Sequence, residues 1–279
     1  MELFDNIAKS CNISVETVIE NYENCLVGLN GVLCGVPQDE GMKKLIGYFD
    51  FSIANYIYIY NNLCTALLSG KYCFGNKKYT KDANFSFLLM LKLIIHDLIT
   101  LRNLSIIGFD AQFHSISRNY VEKMKIFLLC CFDEEFFEVF TGHKEISDKE
   151  LYYKYTREKM VDKRIEHLVE ENPFDPTIIG FTSDTLKNRL NKLLHPFVHT
   201  NNYRQLLEYY GPKIDISINS KKDDGIKVHM YKYMCEASIL SLIDIILWSR
   251  NDTNIRLDKY LDSIFDVYQE YMKDYYTER

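Results

Sequence analysis

Chain breakers are scarce here, and their scarcity limits the fold more than any motif does. Only 5 prolines and 12 glycines are spread over 279 residues. β architectures need frequent turns, and turns draw on Gly and Pro. A chain this poor in both favours long, uninterrupted helices. The breakers that exist fence off apolar runs at helical spacing. The run from Phe85 to Ile107 stops at Gly108, a residue suited to the left-handed backbone that closes a helix.

The rest of the chain reads in the same way. Short amphipathic helices are expected at 3–10 and 15–26, the second capped by Ser14. Gly28 to Gly41 is a connecting loop. Gly28, Gly31 and Gly35 fit no phosphate-cradling pattern and lack a following Lys-Ser or Lys-Thr. A long, tyrosine-rich helix spans 43–69, followed by a polar, Lys-rich loop at 70–84. Helices follow at 85–107, 111–131 and 133–140, the last stopped by Thr141-Gly142. The segment 145–171 is a charge-dense helix whose opposite charges at i, i+4 form a solvated face. Ser183 or Asp184 caps a helix from Thr185 to Leu194, and Pro196 starts another toward Tyr210. Ile214 to Ile218 and Ile226 to His229 alternate apolar and polar, so a small hairpin is expected across 214–229. Tyr231 to Trp248 is mostly apolar and therefore central to the core. Leu257 to Tyr276 is a final amphipathic helix. The fold class is all-α, with an N-terminal helical region at 1–80 and a helical bundle at 81–279.

Composition narrows the class. Hydrophobic residues make up 47% and charged residues 26%, which is globular and not disordered. The 21 tyrosines and 17 phenylalanines are scattered, as suits helix–helix interfaces better than base-stacking platforms. A net charge of -6 argues against coating nucleic acid, so any RNA contact must be local or shared with another subunit. None of the 8 cysteines forms a Cys-x-x-Cys pair, and most lie in apolar runs, which points to reduced, buried thiols. Phe85 to Leu101 is interrupted as a membrane span by Lys92, His96 and Asp97. Ala237 to Trp248 is too short and holds Asp244. A cytoplasmic protein with no membrane contact is the expectation.

Two polar constellations interrupt the apolar pattern. In the first, Arg189 precedes His195 by six positions and His199 follows four later, at a helix end. A permanent cation beside titratable imidazoles can hold a phosphate and move a proton next to it. In the second, His114, Arg118 and Glu122 recur at i, i+4 and i+8 on one helix face. Both have blander readings. Arg118 and Glu122 can simply be an i, i+4 ion pair, His195 can cap the helix C-terminus, and His199 can be a partly buried hydrogen-bonding residue. Metal binding is the rival chemistry, with His195, His199 and Glu122 as ligands. It is disfavoured because Pro196 breaks the helix at His195 and stands where a His-Glu-x-x-His motif has its glutamate. No metal or cofactor is expected. His96-Asp97 reads as a satisfied core histidine with a helical neighbour.

The arginine, five intervening residues and histidine at a helix end resemble the signature of the HEPN superfamily of helical ribonuclease and nucleotide-binding domains. The likeness extends over Phe85 to Tyr210, including the Arg118-x-x-x-Glu122 helix. The family usually has a polar residue directly after the arginine, whereas Leu190 stands there, with Asn188 before it and Asn191 two positions after the arginine. The resemblance implies a homodimer with one motif from each subunit in a shared cleft. It implies metal-independent RNA cleavage by 2′-hydroxyl attack, with Arg189 and His195 catalytic. Asn191, His199, Arg118, Glu122 and His114 would support them. It places such a protein in microbial defence or toxin systems, where a protein partner is expected as well as RNA. The alternative is a non-catalytic nucleotide- or protein-binding module of the same architecture.

Overall fold

The computed structural model describes residues 14–17, 40–68, 81–107, 110–171, 225–252 and 261–276. The expected helices Thr185 to Leu194 and Pro196 to Tyr210, the loop 28–41 up to residue 39 and most of the first two helices lie outside the described residues, while Glu40 and Gly41, expected in that loop, open a helix. The described part is all-α.

Among the described residues from 40 onward, eight helical segments and a π-turn follow one another. They are α1 (Glu40–Leu68), α2 (Lys81–Ile107), α3 (Asp110–Phe132), α4 (Glu134–Phe140), α5 (Asp148–Glu150), the π-turn Leu151–Thr156, α6 (Glu158–Glu171), α7 (Gly225–Asp252) and α8 (Leu261–Tyr276). Ser14 caps the turn at 15–17 as expected, its Oγ accepting from the Thr17 amide at 3.1 Å.

α1 buries Leu45, Phe49, Ile53, Tyr56, Ile59, Leu63 and Leu67, spaced by three or four residues, which is the stripe a helix needs to bury one face. α2 does the same with Phe87, Leu91, Ile94, Leu98 and Leu101. It begins at Lys81, so the expected loop gives up its last four residues to the helix. Lys92, His96 and Asp97 do not interrupt it. α2 is long and apolar enough to cross a membrane by length and composition, and 44% of that stretch is buried inside the protein.

α7 is the axis of the fold. From Met230 to Ser249 nearly every side chain is buried, so its apolarity has no single face, as a helix enclosed on all sides requires. This contradicts the expected hairpin: Ile226 to His229 belong to α7, which starts at Gly225. Two-residue alternation over so short a stretch also fits the first turn of a helix.

Contacts between the helices fix their directions. Leu45, Ser52 and Tyr56 of α1 meet Cys235, Ser238 and Ser241 of α7 in ascending order, so these two helices run parallel. Phe113 and Tyr120 of α3 meet Tyr231 and Ser241, also in parallel. α2 runs against α3, with Phe87 stacked on Phe127 and Asp97 bonded to Lys123. α1, α2, α3 and α7 share one continuous core.

Within that core the Ser241 hydroxyl lies 2.6 Å from the Tyr56 hydroxyl and 3.0 Å from that of Tyr120. Ser238 donates to Ser52 at 2.9 Å. A buried hydroxyl left without a partner costs about 1–3 kcal/mol. Sliding α7 by one turn would strand several of them, so this cluster specifies register as well as contributing stability.

α8 docks through Tyr271, fully buried, whose hydroxyl donates to the Lys232 carbonyl. Tyr48 and Lys44 of α1 both reach the Asp274 carboxylate, at 2.5 and 2.6 Å. Burial works against that carboxylate, but the bonds from Lys44 and Tyr48 outweigh it and hold Asp274 below its usual range.

The expected single helix over 145–171 is corrected. Ser147 caps α5 by accepting from the Glu150 amide. The chain then widens into the π-turn, and Arg157 is extended at φ −62°, ψ 132° before α6 begins. Tyr155 folds inward through this break, and its hydroxyl donates to Glu135 at 3.1 Å. A continuous helix would not break at Arg157, and tertiary bonding at Tyr155 prevails over local propensity.

Candidate functional site

α3 carries the described members of the expected site. His114, Arg118 and Glu122 occupy successive turns of it, but their surroundings differ. His114 is 1% exposed. Burial pushes its imidazole from 6.5 down to about 3, so it is neutral at neutral pH. At that depth it neither gains a proton nor supplies a cation near pH 7.

Arg118 is at the helix surface. Its Nε donates to Glu122 Oε1 at 2.6 Å, and Nη2 reaches Glu158 Oε2 on α6 at 3.5 Å. One guanidinium therefore serves both the expected i, i+4 pair and a contact between helices. Side-chain exposures of 44% for Glu122 and 53% for Glu158 leave both carboxylates in water. Each such pair is worth roughly 0.2–1 kcal/mol, so its effect is to orient helices more than to stabilise them.

Two further rungs continue along the same seam. Lys125 donates to Asp162 at 2.9 Å, and Arg164 donates to Asp133 at 2.5 Å. Positions 118, 125 and 133 meet 158, 162 and 164 in ascending order, so α6 runs with α3. Asp133 also caps α4, accepting from the Phe136 amide at 2.9 Å. Arg164 lies with its guanidinium carbon 4.6 Å from the Tyr155 ring centre, a cation–π geometry.

The middle rung is the most enclosed, with Lys125 only 9% exposed. Removing its partner leaves an enclosed ammonium without a counter-charge. Asp162→Asn is expected to cost about 2 kcal/mol, below the 3–5 typical of fully buried pairs because Asp162 keeps some water contact. Lys125→Met removes the charge and keeps the aliphatic stem, so its change should stay within about 1 kcal/mol. Urea midpoints of the two variants check this asymmetry, and equal losses would contradict it.

Between α4 and α6 lies an open cleft of about 510 Å³ with Phe132, Met160 and Leu168 in its lining. Its Arg164 is held by Asp133 and Glu135 from the opposite wall. The arginine is thereby already neutralised within the cleft.

Arg189, Asn191, His195 and His199 lie outside the described residues. His96 is exposed, against the expectation of a core position, while its neighbour Asp97 turns inward and accepts from Lys123 at 2.6 Å. Among the described residues no three His, Cys, Asp or Glu side chains gather as a metal-holding group. Cys64, Cys130, Cys131 and Cys235 are free thiols, and burial pushes those of Cys130 and Cys235 well up, away from the reactive thiolate form.

Sequence reasoning missed the Tyr56–Tyr120–Ser241 cluster. Its only trace is the pair of serines, Ser238 and Ser241, three residues apart inside an apolar run. Comparison with protein-family models, with curated proteins and with solved structures finds no match to this chain.

Proposed function

We propose that this chain is a HEPN-like helical protein acting as a metal-independent endoribonuclease, with Arg189 and His195 as its catalytic residues. The observation that carries the reading is the spacing of Arg189 and His195 at an expected helix end in a chain whose described residues are all-α. In this reading Arg189 holds the scissile phosphate and stabilises the charge that builds on its oxygens. The RNA 2′-hydroxyl attacks the adjacent phosphorus and the bond to the 5′-oxygen breaks. His195 either takes the 2′ proton or returns one to the leaving oxygen. The products are a 2′,3′-cyclic phosphate and a 5′-hydroxyl. Asn191 and His199 belong to the supporting shell. The site is shared between two copies in a dimer, and the setting is a microbial defence or toxin complex in the cytoplasm.

One observation favours a second reading, a non-catalytic module that binds a nucleotide or a protein. His114 is enclosed and neutral, and Arg118 is engaged by Glu122 and Glu158. Arg118, Glu122 and Glu158 then act as a strut between α3 and α6.

The test is cleavage of mixed cellular RNA with EDTA present, comparing the wild type with Arg189→Ala and His195→Ala. Circular dichroism establishes that all three proteins are folded. Cleavage by the wild type alone, leaving cyclic-phosphate ends, is the expected result. A cleavage rate unaffected by His195→Ala, or no cleavage by the wild type, would overturn the ribonuclease reading. The latter result leaves the binding module.

A further inference from the structure

We draw no further inference here: the strongest candidate, the outer face of the α1 and α2 pair where Leu68, Phe85, Leu89 and Leu93 stand exposed, carries nothing because nothing in the structure shows what covers it.

Discussion

Phe87→Ala is expected to destabilise the fold by about 3–5 kcal/mol, the range for deleting a large aromatic side chain from a tight core. Phe87 is 1% exposed and stands where four helices meet. From α2 it stacks on Phe127 of α3 at 4.6 Å between ring centres. It turns an edge-on geometry to Phe137 of α4 at 6.0 Å and tilts against Trp248 of α7 at 5.8 Å. Truncation to alanine removes transfer energy and leaves a cavity lined by three other rings, which are too bulky to collapse into it. A domain is stable by only about 5–15 kcal/mol, so this single change consumes a large part of the margin. Each kcal/mol lowers the melting temperature by about 2–4 °C at this size. Phe87→Leu keeps most of the volume, and its loss should be near 1 kcal/mol. Urea titration of both variants reads the difference. A loss below about 1 kcal/mol for Phe87→Ala would mean that the rings do not meet as described.

The second large effect is on acid stability, and it runs through His114. In the folded chain its pKa is about 3, against 6.5 for the free side chain. Between those values the unfolded chain binds a proton that the folded one refuses. Lowering the pH therefore favours unfolding. The contribution is fully present above pH 6.5 and is lost progressively as the pH falls toward 3. At pH 4.5 the unfolded imidazole is almost wholly protonated and the folded one almost wholly neutral. Two pH units at about 1.4 kcal/mol each give a loss of about 2–3 kcal/mol relative to pH 7. Glu135 and Asp274 also sit below their usual range and add their own acid sensitivity. The comparison that isolates His114 is the fall in stability from pH 7 to 4.5 in the wild type and in His114→Gln. The variant starts lower but should fall less, by about 2 kcal/mol. An equal fall in both would show that the imidazole is not held neutral in the core.

Parts of this molecule could be read from one residue to the next. α2 and α3 announce themselves because their apolar residues repeat every three or four positions and because Gly108 separates them. α4 was legible from Asp133 at its start and Thr141-Gly142 at its end. Asp133 does cap it, and Gly142 closes it with φ at 74°, where a β-carbon would be strained. Alternation over Ile226 to His229 points to a strand, yet it is too brief to distinguish one from the helix turn that those residues form. The break at Arg157 could not be read at all. The segment 145–171 contains neither Gly nor Pro, and its charges pair well along a continuous helix. The expected site was legible only as spacing. Sequence places His114, Arg118 and Glu122 on one face, yet it does not reveal that the first is sealed in the core and the second is drawn to Glu158.

The sequence by itself determined the class of the fold and the central place of α7. Both follow from local rules: few breakers, apolar residues at helical periods, and one run apolar on every side. Only the tertiary structure decided which way the helices run, where the tyrosine and serine hydroxyls meet, and which charges face one another across α3 and α6. Those depend on residues far apart in the chain, such as Tyr56 with Ser241 and Arg118 with Glu158. Such partners are selected by the cost of burying a polar group alone, and that cost arises only once the helices have packed.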